Sequence, residues 1–396
     1  MIPPRVLITD GGERPALAAA RSLVALGCEV HVAARRRVSL AGLSRGVHGT
    51  ALVTHPLGNP VGYVAEVGSL VSRLGIRVLL PVTDASVEAL LEHRAVIPAG
   101  VALPLPTLAS YREASDKRVM LERARDAGLS VPETVVLLTP DDLAHLPEAR
   151  FFPAVVKPHR SVTRLDRGTQ SRHKLSVTLV HDPASCRTAL AALPPTAFPV
   201  LLQRWVHGVG EGLFVLRWNG RIVAEFAHRR LREKPPHGGV SVYRESIGVP
   251  AALRQAGRRL LERLDWQGVA MVECKHDAAT GRYVFMEVNG RLWGSLQLAI
   301  DAGVDFPALL VACALGEAPP EVSDYRVGVR SRWFWGDVDH LYMRLRDGAG
   351  EGRGGRLAAV RDFFRLRAGD DREEVWRWRD PMPFLLESLR WLRRAR

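Results

Sequence analysis

Lysine is nearly absent. It occurs only at positions 117, 157, 174, 234 and 275, although Lys and Arg together number 55. The formal charge of +13 is therefore carried almost wholly by Arg. A positive field attracts anions, but so complete a bias fits a GC-rich coding sequence and says little about a partner. No zinc-finger spacing and no aromatic-rich RNA-binding signature accompanies the charge, so nucleic acid is not an expected partner. Where the chain keeps a Lys, a compact, mobile ammonium is needed rather than a guanidinium fork. Cysteine is also sparse. The four residues (Cys28, Cys186, Cys274, Cys313) are scattered with no CxxC pair. That argues against a zinc site and a disulfide framework, and fits a reducing cytoplasm. No uninterrupted apolar run of about 18 residues occurs, so no transmembrane segment is expected. The stretch Met1 to Thr9 lacks the charged region, long apolar core and cleavage site of a signal peptide. There is no internal repeat, and the only biased tract is a Gly/Arg patch from Gly348 to Gly355.

What is present is a chain of 396 residues, 47% hydrophobic and 24% charged, long enough for two or three packed units. Arg5 to Thr9 reads as a strand. Asp10-Gly11-Gly12 turns into a helical stretch from Pro15 to Leu26, and Gly27 stops it before a second strand from Cys28 to Ala34. Ala51 to Thr54 and Val78 to Pro81 are further strands, with a helical stretch from Val64 to Leu74 before the latter. Alternating strands and helices imply a parallel sheet covered on its faces. The Gly11-Gly12 pair is not GxGxxG, and reads more simply as a tight turn than as a phosphate cradle.

A charged helix is expected from Tyr111 to Ala127, ended by Gly128. Beyond it the pattern becomes mixed α+β with antiparallel pairing dominant. The expected strands are 154–157, 200–203, 212–218, 221–227, 269–273 and 283–288, and Asn219-Gly220 is a hairpin signal. From about Arg326 Arg and Trp become dense, and a basic amphipathic helix runs from Pro383 to Arg394.

The strongest chemical signal is Tyr283 to Ser295, YVFMEVNGRLWGS, preceded by Val269 to Lys275, VAMVECK. Alternation puts Glu287 and Asn289 on one face of their strand, and a paired strand can bring Glu273 beside them. Two carboxylates and a carboxamide make an oxygen-rich site suited to magnesium. Arg291 follows on the same alternation, able to meet a phosphate or carboxylate through its fork.

At these residues the chain resembles the ATP-grasp superfamily, the carboxylate-amine and carboxylate-thiol ligases together with biotin carboxylase and carbamoyl-phosphate synthetase. FMEVNGR matches the superfamily's E-x-N-x-R strand. Ser115-Asp116-Lys117 looks like its entry into the nucleotide fold, and Pro153 to Pro158 looks like its P-x-V-x-K-P strand. The resemblance implies a parallel α/β pre-ATP-grasp domain over residues 1–112. An ATP-grasp domain over 113–325 follows, with a lid subdomain at about 133–200, and then a basic extension over 326–396. It implies that Lys117 and Lys157 contact the ATP phosphates and that Glu273, Glu287 and Asn289 hold magnesium, or manganese in its place. Gln203 leads into a hinge where backbone groups near Trp205 and Val206 receive adenine, and Glu211 faces the ribose. Arg230 meets phosphate or a substrate carboxylate, with His228 and Arg229 weaker candidates, and Gly238-Gly239 allow close backbone approach. Arg291, Arg230 and Lys157 would be the catalytic set. The implied activity is an ADP-forming ligase that converts a small-molecule carboxylate to an acyl phosphate and passes it to an amine. A homodimer is one assembly the resemblance allows.

Two departures stand out. The loop after Lys157 keeps a single glycine, Gly168, where the superfamily has several. Trp293 to Gln297 lacks the Val-Glu-His segment of biotin carboxylase, which disfavours a carboxylase. Two rival readings come from other classes. One is a nucleotide-binding regulatory or scaffolding module. The other is a membrane-surface partner that uses an apolar face of Phe384, Leu385, Leu389 and Leu392, against the plainer reading of a helix docked on its own protein.

Overall fold

The structure, a computed structural model, describes residues 3–160, 162–164, 172–175, 177–236, 238–346, 355–365 and 371–394. Gly168 and the Gly-rich stretch 348–354 lie outside the described residues.

The chain begins with a parallel sheet. Strands β1 (Arg5–Ile8), β2 (Glu29–Ala34), β3 (Gly49–Leu52) and β4 (Val78–Leu80) lie in the order β3-β2-β1-β4. Helices α1 (Arg14–Ala25), α2 (Pro60–Leu74) and α3 (Asp84–Glu92) accompany it. Helix α2 starts four residues before the expected Val64. Pro60 occupies its first turn and the Asn59 side chain accepts from the Gly62 N–H at 2.9 Å, a cap that apolar periodicity does not reveal. Gly11 is required by packing, since a Cβ there would lie 2.3 Å from Val32 Cγ1. Asp10 uses its carboxylate to bind the N–H groups of Val82 and Thr83, tying the end of β1 to the end of β4. The Asp-Gly-Gly turn is thus held by the protein's own groups.

The single helix expected from Tyr111 to Ala127 is two, α4 (Leu108–Ser115) and α5 (Lys117–Asp126). Asp116 between them is extended, and its Oδ1 accepts from the N–H groups of Arg118 and Val119 at 3.0 and 3.2 Å. A good N-cap restarts the helix and places Lys117 at its first position.

Next come β5 (Thr134–Leu137), β6 (Ala154–Pro158), the hairpin β7 (Val162–Arg164) and β8 (Arg172–Lys174), β9 (Thr178–Val180), α6 (Pro183–Ala191) and β10 (Val200–Arg204). Four of these strands form an antiparallel sheet, β5-β10-β6-β9, with its own core around Leu137, Phe151, Val156, Leu190 and Leu202.

The largest sheet follows. Its strands are β11 (Val209–Trp218), β12 (Arg221–Lys234), β13 (Val240–Ile247), β14 (Gly268–Asp277), β15 (Arg282–Asn289), β16 (Arg330–Arg332) and β17 (Asp371–Glu373). The order is β15-β14-β11-β12-β13-β16-β17, antiparallel except for the last pair. Asn219 and Gly220 both have positive φ, 48° and 78°, as a tight hairpin turn requires. One face of this sheet, with Leu213, Val215, Ala270 and Val272, packs on α5 and α7 (Ala251–Arg263). The other face is apolar at Phe214, Phe226 and Met271, where α1, α8 (Leu296–Ala302) and α9 (Phe306–Ala314) cover it. It turns polar one register step away, at Gly212, Glu273 and His228. Helices α10 (Phe334–Arg346), α11 (Arg356–Phe364) and α12 (Met382–Arg394) complete the chain. Among the described residues no single helix is long and apolar enough to cross a membrane. The bent pair α8 and α9 carries Leu298, Phe306 and Leu310 into the core.

Candidate active site

The polar half of that sheet face is where chemistry-bearing residues meet. Glu273 on β14 and Glu287 on β15 are direct cross-strand partners, and Met271 opposes Asn289. Asn289 Nδ2 donates to Glu287 Oε1 at 3.1 Å, and Arg291 Nη2 donates to Asn289 Oδ1 at 3.2 Å. Arg291 Nε reaches Asp84 Oδ2 at 3.1 Å, so the first turn of α3 supplies a carboxylate from the first sheet. Lys117 Nζ lies 4.0 Å from Glu287 Oε2. Lys157 on β6 comes from the β5-β10-β6-β9 sheet and sits between these carboxylates and the ammonium groups of Lys117 and Lys275. Side chains from α3, from α5, from the β5-β10-β6-β9 sheet and from the central sheet thus converge on one spot.

The electrostatics follow from that crowding. Burial lowers the Lys157 ammonium from its ordinary value; Glu287 offsets this only in part, and Lys117 adds a smaller repulsion. Burial alone would raise Glu287, but Lys117, Lys157 and the Asn289 hydrogen bond together bring its carboxyl below the usual range. Burial holds Glu273 above that range even though Arg230 Nη2 lies 2.6 Å away. The two carboxylates are therefore unequal.

Among the described residues no group of three or more His, Cys, Asp or Glu converges as a metal cage. The donor set is two carboxylates and one amide oxygen. All are hard oxygen donors, with other positions left open, which suits magnesium and not a soft metal. Cations of the chain already sit on these oxygens, as expected of a site that exchanges partners when an ion and phosphates arrive.

The remaining sequence candidates are placed as follows. Gln203, next to last in β10, is buried, with Nε2 donating to Thr134 Oγ1 at 3.2 Å. Trp205 and Val206 follow it, half-buried, and the Trp205 N–H donates to Pro153 O. Glu211 on β11 is buried and accepts from the Tyr283 hydroxyl at 3.1 Å. Arg230 on β12 binds Glu233 and Gly239 O as well as Glu273. Gly238 has φ +134° and packs against the Trp205 ring, while a Cβ on Gly239 would lie 2.3 Å from Lys234 O. Arg229 points to the opposite face, where it pairs with Glu245.

Several neighbours lay outside the sequence reading. Lys275 Nζ donates to Gly208 O at 3.3 Å and lies 6.0 Å from the centre of the Trp205 ring. The scarcity of lysine was the signal that could have found it. Asp84, Glu88 and Arg160 line a small recess with Lys117, Glu287 and Asn289, and a cavity of about 660 Å³ adjoins it under Arg112, His159 and Arg172. No sequence spacing joins these residues. His228 is fully buried against Phe214, with neither ring nitrogen hydrogen-bonded among the described residues.

A family described as ATP-grasp in the biosynthetic pathway with Ter operon matches residues 200–335. Solved structures agree over most of the chain. The ADP complex of N5-carboxyaminoimidazole ribonucleotide synthetase superposes with a TM-score of 0.63 at 13% identity, covering 92% of this chain and 97% of that one. The L-amino acid ligase from Bacillus licheniformis gives 0.60 at 15% identity, over 81% and 76%. Biotin carboxylase from Campylobacter jejuni gives 0.61 at 13%, over 82% and 74%. The fold is the ATP-grasp fold, which is the fold that the motif resemblance implied.

Proposed function

We propose that this chain is an ATP-dependent ligase. In this reading it phosphorylates a substrate carboxylate and transfers the acyl group to an amine, releasing ADP and phosphate. The observation that carries the reading is the meeting of Lys117, Lys157, Glu273, Glu287 and Asn289 at one point, supplied by a helix start, a lid strand and the central sheet. The ligases of similar fold lend it support.

Adenine enters between β10 and the central sheet, beside Trp205 and Val206, with Glu211 toward the ribose. Lys117 and Lys157 exchange their carboxylate neighbours for phosphate oxygens, which relieves the repulsion between them. Glu273, Glu287 and Asn289 hold magnesium, which when bound neutralises phosphate charge. A substrate carboxylate oxygen attacks the γ-phosphorus and ADP leaves. Arg291 and Arg230 stand on either side of the acidic pair to hold the reacting anions, so positioning and charge stabilisation do the work. The amine then attacks the acyl carbon and phosphate leaves. The lid, about residues 133–200, closes to keep water from the acyl phosphate. The parallel unit, residues 1–112, contributes Asp84 and the cavity wall for the substrate, and the segment 326–396 finishes the central sheet.

The test is nucleotide turnover against a matrix of carboxylates and amines. ADP and phosphate release that requires one carboxylate, and falls at least a hundredfold in Glu287→Ala, is the expected result. AMP release would refute the acyl-phosphate route. Tight ATP binding with no turnover across a broad matrix would favour a binding module instead.

A further inference from the structure

Helix α12 docks on the protein by its aromatic and polar side. Phe384 packs on Trp335 and Trp376, Glu387 accepts from Trp333 Nε1, and Ser388 accepts from Trp335 Nε1. Trp391 stacks on Trp335 with ring centres 4.3 Å apart and donates to Asp339. These residues recur at spacings of three, one and three and define the inner face. The aliphatic residues occupy another face altogether. Met382, Leu385, Leu389 and Leu392 are 49, 51, 46 and 53% exposed. Spaced three, four and three apart, they form one straight stripe about 15 Å long at 1.5 Å per residue. A helix docked for stability alone would turn such a stripe inward.

The surroundings of the stripe carry one sign of charge. Arg393 follows it along the helix, and Arg390 and Arg394 lie beyond. Arg390 donates to Val38 O at 2.7 Å, which brings the exposed run Arg35-Arg36-Arg37-Val38 alongside. Burial and the nearby guanidinium groups of Arg36 and Arg394 hold Arg390 below its ordinary value, against a smaller pull from Glu387. Glu387, the one acid of the helix, faces inward. A second copy laid over this stripe would press arginine against arginine. Arg393 flanks the stripe directly and Arg390 lies farther round the helix, so an anionic surface on the stripe would meet the guanidinium groups at its flank.

We propose that α12 seats this protein on an anionic lipid surface. Met382, Leu385, Leu389 and Leu392 enter the interface, and Arg36, Arg37, Arg390, Arg393 and Arg394 meet the headgroups. This does not depend on the ligase reading.

The experiment is flotation of the full chain with vesicles of phosphatidylglycerol and phosphatidylcholine, or of phosphatidylcholine alone. Binding to the anionic vesicles only, weakened by salt, is expected. Leu385→Glu with Leu389→Glu should weaken it at least tenfold while circular dichroism and thermal melting stay as in the parent. Leu389→Ser with Leu392→Ser gives the same loss should glutamates disturb the fold. No binding to anionic vesicles overturns the proposal. So does binding that the leucine variants leave unchanged, which would be basic charge alone. A concentration-dependent dimer in sedimentation, dissolved by the same substitutions, would assign the stripe to a second copy.

Discussion

Lys157 is a residue whose burial works against the fold. Its ammonium is buried in a sheet strand, with Lys117 and Lys275 near enough to repel it. A lysine whose folded pKa lies below its unfolded one lowers stability in full while both states are protonated, and the penalty fades as pH rises from the folded pKa to the unfolded one. Lys157→Met should therefore stabilise the ligand-free protein by about 1 kcal/mol in urea titration. The same variant should bind ATP at least tenfold more weakly by calorimetry, because the phosphates lose their cation. A variant that is less stable and binds ATP normally would make Lys157 a structural residue. Gly290 is the contrasting case, a residue set by packing: a Cβ there would lie 2.4 Å from the fully buried Trp266 ring.

At the scale of elements, α12 carries a group whose titration can be read in stability. Burial pushes the Glu387 carboxyl up to about 7, and its Oε2 has no hydrogen-bond partner among the described residues. The ordinary value for Glu is about 4.3. Between those values the folded state holds the extra proton, so stability falls as pH rises through that window and stays low above it. Glu387→Gln keeps an acceptor for Trp333 Nε1 and removes the titration. Relative to the parent it should gain on the order of 2 kcal/mol between pH 5 and pH 8, measured by urea unfolding at each pH. Equal pH profiles for the two proteins would contradict the burial of that carboxyl. Elements also show what a sequence discloses. The hairpins β11–β12 and β14–β15, the Asn219-Gly220 turn and the pairing of Glu273 with Glu287 were legible, because alternation and turn chemistry are local, whereas β13, β16 and β17 and the pairing of β11 with β14 were not. The break at Asp116 was visible only as a cap inside a charged run. The outward turn of the Leu385, Leu389 and Leu392 stripe was not legible. Periodicity groups residues on one face but does not say which face meets the protein, and here Phe384 parts from its apolar neighbours to join the tryptophans. Asp84, Glu88 and Arg160 were hidden for a related reason: they reach the site only through the docking of separate units.

That docking is the business of the whole molecule, and a buried ion network joins its parts. Arg244 on β13 is fully buried and ion-paired with Glu374, which also holds Arg14 of α1 at 2.6 Å. Arg21 of the same helix binds Asp380 at 2.8 Å and the carbonyl of Val375. The first parallel unit, the central sheet and the segment 371–380 are thereby held by shared charges. Such a network adds little net stability over an apolar replacement, but removing one partner strands a charge in the interior. Among the described residues, Glu374→Ala leaves Arg244 with the hydrogen bonds to Ser241 O and Ser331 Oγ. A loss of about 3–5 kcal/mol is expected. Because all three parts depend on that carboxylate, the variant should still unfold in one step, with far-UV dichroism and tryptophan fluorescence shifting together. Five of the nine tryptophans lie between Trp333 and Trp391, so fluorescence weights the last segment. An early fluorescence transition that leaves the dichroism of the sheets behind would mean that this segment is an appendage. Coincident transitions would mean that the strands β16 and β17, and the site face they help to hold, fold as one body with the rest.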